Sequence, residues 1–231
     1  MSLMGHLEEL RRRLILSVLA LLVGVSVSFF LSGWIFEILK SRVEGVQLIR
    51  TQVTEMIGTY MRVSFISGLA LAMPVVVYQL VMFLAPALTP KEKRSLYMMM
   101  PGIFLSFIGG AAFAFFVLLP PAMGFLIHFG ENIAQPLIRV GDYVSVVTSM
   151  MFWVGLSFET PILIFFLARI GLVTPGLLSR YRRYAFVAAF VLAAIITPTV
   201  DPINQSLVAI PLIILYEIGI LLAKLAWRGR S

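Results

Sequence analysis

Long apolar runs fill this chain, and charged residues or prolines close them at intervals of about one membrane thickness. The runs lie between Arg13 and Glu37, Arg62 and Lys91, Arg94 and Pro120-Pro121, Asp142 and Arg169, Tyr184 and Ile196, and Leu207 and Ala223. A transmembrane helix needs roughly 20 apolar residues, so the first four runs predict full spans and the last two predict short ones. Thr197-Pro198 and Asp201-Pro202 separate the last pair. The fifth run is below the usual minimum, so a re-entrant hairpin competes with two short spans, and either returns the chain to the same side. Pro74 predicts a kink in the second span. The stretch from Arg94 to Glu131 is too long for one span and too short for two, which makes Ala122 to Phe129 a short helix in the interface. Between Gly33 and Arg62, Ile35, Leu39 and Val43 recur every fourth residue and predict short helices folded onto the membrane surface, with Trp34 at the interface. The pattern as a whole predicts an all-α polytopic membrane protein of about six helices, one transmembrane domain over residues 1–231.

Composition agrees. Hydrophobic residues make up 60% of 231 positions and charged residues 13%, about half the charged share of a soluble domain. Lipid replaces water as the solvent of the outer surface. A net charge of +7 raises nucleic acid as a partner, but the basic residues stand at the ends of apolar runs rather than on an aromatic-interleaved stripe. Membrane topology accounts for them. The clusters at Arg11–Arg13, Lys91–Arg94, Arg169–Arg183 and Lys224–Arg230 hold 13 of the 18 Lys and Arg; Lys40, Arg42, Arg50, Arg62 and Arg139 are the other five. The positive-inside rule then puts both termini in the cytoplasm. Arg11, Arg12 and Arg13 ahead of an apolar run resemble an export signal, yet the run from Leu14 to Trp34 is long and no small-residue cleavage site follows, so it reads as a permanent span. The chain has no cysteine, which excludes disulfides, thiolate nucleophiles and Cys-ligated metals.

Few residues carry candidate chemistry. Glu159 is the only charge between Asp142 and Arg169, with Pro161 just after it. An ionisable group at that depth is expensive and points to function; the structural alternative is a neutral or hydrogen-bonded carboxyl. Glu217, two turns before Lys224, reads as interfacial or packing. His6 to Arg13 reads as an amphipathic helix leading into the first span, with Glu8 and Arg12, and Glu9 and Arg13, four apart. Simple helix pairing explains those residues, worth a few tenths of a kcal/mol each; a carboxylate kept for a cationic ligand is the functional alternative. Glu92 has a structural role available too, closing a capping box with Thr89 while Pro90 takes the first helical position. Scarcity favours a role in binding: Glu8, Glu9 and Glu92 are the carboxylates set among the 13 basic residues of that side. Gly102, Ser106, Gly110 and Ala114 form a small-residue stripe that favours close helix packing. His6 and His128 stand far apart without a ligand cluster, and no nucleophile-elbow, zinc-protease, dinucleotide or phosphate-loop motif is present. No metal, cofactor or catalytic residue is expected.

The order of motifs resembles the TatC family of twin-arginine translocases. The resemblance rests on His6-Leu7-Glu8-Glu9-Leu10-Arg11-Arg12-Arg13-Leu14, Pro74-Val75-Val76-Val77-Tyr78-Gln79, and Phe83-Leu84-Ala85-Pro86-Ala87-Leu88 leading to Glu92. Ser157-Phe158-Glu159-Thr160-Pro161, Thr197-Pro198 with Asp201 and Gln205, and Ala209-Ile210-Pro211 with Tyr216-Glu217-Ile218-Gly219 continue it over nearly the whole chain. The family usually has a proline just after the first span, where this chain has Glu37-Ile38-Leu39-Lys40, and Thr199-Val200 adds a residue before Asp201.

The resemblance implies a receptor in the cytoplasmic membrane of a bacterium or archaeon, not an enzyme. It would bind the paired arginines of signal peptides on folded cargo and assemble with single-span TatA and TatB partners, with a homo-oligomer as a further option, for export driven by the proton-motive force. Carried over by motif, Glu9 and Glu92 would hold the two arginines, with Arg11, Phe83 and Lys93 bordering them. Glu159 would be the polar residue inside the helix assembly, and Thr197 and Gln205 would lie where a partner helix docks. Two other readings compete. A secondary transporter would place Glu159, beside Pro161, in a midplane solute site, although paired interrupted segments in the two halves are lacking. An intramembrane hydrolase lacks its nucleophile or metal motif.

Overall fold

The computed structural model describes residues 3–41, 48–84, 90–128, 137–197 and 201–228, with the side chains at positions 3, 4, 6, 81, 84, 90–93, 95, 96 and 228 outside that description. The described residues form nine α-helices and two two-residue strands. Five helical stretches are long and apolar enough to cross a membrane: Leu7–Lys40, Glu55–Leu80, Tyr97–His128, Val140–Arg169 and Pro202–Trp227. The chain is a multi-pass membrane protein. Its contacts gather into two compact units, Met1–Phe104 with Arg139–Ser145, and Leu105–Ile138 with Val146–Ser231.

In the first unit, α1 (Leu3–Lys40) joins the amphipathic lead and the first span in one helix of 38 residues. It packs along α2 (Glu55–Leu84), which carries Pro74 inside it. Glycine permits the approach. A Cβ on Gly24 would meet the Gly68 carbonyl oxygen at 2.5 Å, and one on Gly68 would strike the Val25 backbone. Ser32 and Ser64 bond back to their own helices, to Phe29 O and Tyr60 O, as hydrocarbon surroundings favour.

The Glu55 carboxylate ties the start of α2 to the residues before it and to the segment around Gly141. Glu55 Oε2 accepts from the Thr51 amide at 2.9 Å and the Gln52 amide at 3.3 Å, and its Oε1 accepts from the Gly141 amide at 3.0 Å. Arg139 stands 3.8 Å from the same carboxylate. Tyr143 donates its buried hydroxyl to Leu39 O at 2.6 Å. The strands β1 (Leu48–Ile49) and β2 (Ile138–Arg139) form a two-stranded sheet. The short surface helices expected from Gly33 to Arg62 are absent from the described part of that stretch. Its first turns continue α1 and its last turns open α2, because the every-fourth-residue pattern ending in buried Leu39 belongs to the first span's own helix; Val43 lies outside the described residues.

The third helix also runs on where a stop was expected. α3 (Pro90–Phe113) passes into a π-turn, Ala114–Leu118, and then α4 (Leu119–His128). Pro120 and Pro121 cannot donate to a regular helical ladder; the wider turn before them takes up the misfit, so the helix is deformed rather than ended.

The second unit contains most of α5 (Val140–Phe158), then α6 (Thr160–Arg169), α7 (Pro175–Arg180), α8 (Arg182–Ile196) and α9 (Pro202–Arg228). The small-residue stripe packs closely here as expected: a Cβ on Gly110 would meet the Phe158 ring at 2.7 Å, and Ser106 donates to Phe158 O at 2.7 Å. The fifth expected span, α8, has 15 residues. α9 has 27 and extends the run read as Leu207 to Ala223 by a turn at each end.

A branched side chain at the α1–α2 contact has nowhere to go. Gly68→Leu is expected to cost about 1–3 kcal/mol, the usual range for overpacking, read as a lower melting temperature in detergent. Gly33→Leu, where a Cβ meets nothing within 4 Å, is the matched control and should leave it unchanged.

Candidate functional site

The N-terminal end of α1 gathers the charges singled out in the sequence. Glu9 and Arg13 face the same side one turn apart, with Glu9 Oε1 3.4 Å from Arg13 Nη2 and both side chains about one-fifth exposed. The pair is not isolated. Arg13 Nη1 donates to Gln79 Oε1 on α2 at 3.0 Å, across 66 residues of sequence. Glu8 and Arg12, equally well spaced, form no ion pair among the described residues, and both are exposed. A cavity of about 510 Å³ opens along this end of α1, lined by Glu8, Glu9, Arg11, Arg12 and Arg13 among others.

Phe83 is half-buried on the last turn of α2. Glu92 and Lys93 lie on the first turn of α3; their side chains, and the Thr89 of the expected capping box, are outside the described residues. The backbone shows how α3 is positioned. Tyr97, on the second turn of α3, packs its ring 6.0 Å from that of Tyr78 and donates to Met82 Sδ at 3.3 Å. Tyr78 adjoins Gln79, which holds Arg13. One chain of contacts thus runs from the start of α3 through α2 to the Glu9 end of α1. Gln79 and Tyr97 were not singled out by the sequence. Gln79 had a signal, a lone amide inside an apolar run, but no local spacing reveals its partner.

In the second unit, Glu159 breaks the fourth apolar run into α5 and α6. It is 2% exposed, its amide closes a tight turn on Leu156 O, and its Oε1 is buried without a hydrogen-bond partner. The sequence picked this residue for its expected depth, and it is buried. Thr197 is buried at the C-cap of α8, its hydroxyl donating to Ala193 O at 2.8 Å. Gln205 is half-buried and donates to Phe190 O at 2.9 Å, pinning α9 to α8. Asp201, read only as part of a motif, caps α9: its Oδ1 accepts from the Asn204 amide at 2.7 Å just ahead of Pro202, the acid-then-proline signature of a helix start. Glu217, read as interfacial or packing, is partnered by Arg182 at 2.7 Å in a pair whose side chains are about half exposed. Among the described residues no group of three or more His, Asp or Glu could hold a metal ion.

A family profile described as Sec-independent protein translocase protein (TatC) matches residues 5–211. This chain belongs to the TatC family. The Sec-independent protein translocase protein TatC of Aquifex aeolicus is 41% identical over 237 residues, covering all of this chain and 98% of that protein. TatC of Carboxydothermus hydrogenoformans is 37% identical, covering 97% and 93%, and the chloroplastic TATC of Pisum sativum is 36% identical, covering 99% of this chain and 65% of the plant protein. A crystal structure of the twin arginine translocase receptor TatC superposes with a TM-score of 0.85 at 40% identity, over 96% of this chain and 99% of that one. The relatives' names speak for a protein translocase and not for a solute carrier, which removes the transporter reading.

Within this TatC-family fold, Glu159 is a carboxyl kept at a cost in stability, since one of its oxygens is buried and unpaired. Glu159→Gln, nearly the same shape, is expected to hold or raise the melting temperature while lowering export of a reporter cargo at least about tenfold; a kcal-scale transition-state loss is one decade per 1.4 kcal/mol. A stable variant with full export leaves Glu159 as packing alone.

Proposed function

We propose that this chain is the receptor subunit of a twin-arginine translocase, a multi-pass protein of the cytoplasmic membrane with both termini in the cytoplasm. It binds the paired arginines of signal peptides on folded cargo, Glu9 taking one guanidinium and Glu92 the other, with Arg11, Phe83 and Lys93 along the border. Guanidinium forks pair with carboxylates through two parallel bonds, which an ammonium cannot do, so this pair of acids selects arginine over lysine. TatA- and TatB-type single-span partners dock near Thr197 and Gln205, and Glu159 serves a later step inside the membrane. The receptor binds and positions without catalysis or cofactor, and the proton-motive force drives transport.

The observation that carries the reading is the partly exposed Glu9 carboxylate beside a cavity of about 510 Å³ in a segment otherwise rich in arginine. Tyr97 supports the assignment of Glu92, because it fixes the start of α3 against α2 five residues after Glu92.

Binding of a twin-arginine signal peptide to purified protein in detergent, beside its twin-lysine counterpart, tests this. Each of Glu9→Ala and Glu92→Ala should weaken the arginine peptide about tenfold to a hundredfold, the loss of a charge-assisted hydrogen bond of about 1.5–3 kcal/mol. Equal affinity for both peptides in folded protein would overturn the assignment.

A further inference from the structure

Arg13 stands between two unequal acceptors. Its bond to Gln79 is short, tertiary and made to a side chain that is 8% exposed. Its contact with Glu9 is the one between opposite charges, yet it spans 3.4 Å, well beyond the roughly 2.7–2.9 Å of a tight charge-assisted bond. Arg13 Nε is buried and has no hydrogen-bond partner, so the guanidinium offers Glu9 one long bond and not the parallel pair of which an arginine is capable. The neutral amide anchors the guanidinium, and the carboxylate is loosely covered. Glu9 meanwhile keeps a fifth of its side chain exposed beside the cavity that Arg11 and Arg12 also line.

We propose that Arg13, anchored by Gln79, is an internal guanidinium that covers Glu9 in the empty receptor and that a cargo arginine displaces. The inference rests on the assignment of Glu9 to a signal-peptide arginine. Without Arg13, the part-buried Glu9 carboxylate would have no cation at ion-pair distance among the described residues, since Arg11 and Arg12 line the cavity without pairing to it. With Arg13 in place, binding exchanges one guanidinium for another and leaves the charge on Glu9 balanced throughout. The exchange favours an incoming arginine, because it forms two good bonds where Arg13 forms one long one. A lysine brings a single compact ammonium and gains little over the resident group. An internal competitor weakens every ligand of Glu9 by the same factor, so Arg13 sets a threshold that the better-bonded twin-arginine peptide clears and the twin-lysine peptide does not, while the selectivity itself stays with the carboxylate. Arg11 and Arg12 cannot fill this role, since both are exposed and neither forms an ion pair among the described residues.

The test uses the full chain in detergent, with twin-arginine and twin-lysine peptides titrated against wild type, Arg13→Gln and Arg13→Lys, and melting temperatures taken in parallel. Arg13→Gln should bind the twin-arginine peptide about threefold to fivefold tighter, the scale of a partly exposed ion pair. It should bind the twin-lysine peptide tighter by the same factor, leaving the ratio of the two affinities unchanged. Arg13→Lys should fall between wild type and Arg13→Gln. A merely structural brace would lower the melting temperature and weaken both peptides. Unchanged or weaker binding of both peptides in Arg13→Gln at an unchanged melting temperature overturns the proposal. Should Arg13→Gln be destabilised, Arg13→Lys decides, and wild-type affinities there overturn it. A wild-type protein that does not discriminate the peptides strikes the receptor assignment and this inference together; discrimination with no gain of affinity in Arg13→Gln strikes this inference alone.

Discussion

The contact of Gly24 with Gly68 sets the register on which the first unit depends. Two helices that pass this closely cannot slide, because each glycine lies where any Cβ would strike the opposite backbone. The consequence reaches the site. Arg13 lies eleven residues before Gly24 on α1, and Gln79 lies eleven residues after Gly68 on α2. Eleven residues are about three turns and some 16 Å of helix, so each side chain returns to the face of its glycine, and the two antiparallel helices bring them to the same level. The bond from Arg13 to Gln79 is the registered outcome of a backbone contact three turns away.

Membrane surroundings then dictate where the helices are permitted to break. A carbonyl freed in hydrocarbon needs a donor from the protein, and the interruption at Glu159 has one. Ser106, from the small-residue stripe, donates to Phe158 O at the break, while Gly110, one turn on, lets the two segments approach closely enough for that bond. The stripe therefore does more than pack: it supplies the hydroxyl that makes an irregular turn tolerable beside Pro161. At Pro120 and Pro121 the solution differs, because the π-turn before them absorbs the misfit within the helix itself.

These two cases mark what was legible in the sequence. Apolar runs bounded by charges located the spans, and the stripe from Gly102 to Ala114 announced a close packing, because both signals are local and periodic. A lone carboxylate in an apolar run, Glu159, was legible for the same reason. Proline was misread as a stop at position 120, since its effect depends on whether the preceding turn can widen, and that is a property of the packed helix. The Gly24–Gly68 contact and the Arg13–Gln79 bond were invisible. Each joins residues far apart in the chain, with no repeat to signal the pairing, and Glu9 with Arg13 looked like any helix-surface pair until the second acceptor appeared.

The pairing of α8 with α9 shows how a helix shorter than a full span is held against a longer neighbour. Fifteen residues give α8 about 22 Å, against a hydrocarbon core of about 30 Å. Its basic first turn, Arg182 and Arg183, therefore starts level with the interior turns of α9 and not with that helix's basic end at Lys224. Arg182 there meets Glu217 at 2.7 Å, two turns before Lys224, in a pair whose side chains are about half exposed. Gln205 secures α8 further along by donating to Phe190 O. Two polar clamps thus hold α8 against α9, and the first gives the glutamate within an otherwise apolar stretch of α9 its partner. The same shortage of length that makes α8 anomalous as a span is what places a paired Arg and Glu, rather than an isolated one of either, on this face of the protein.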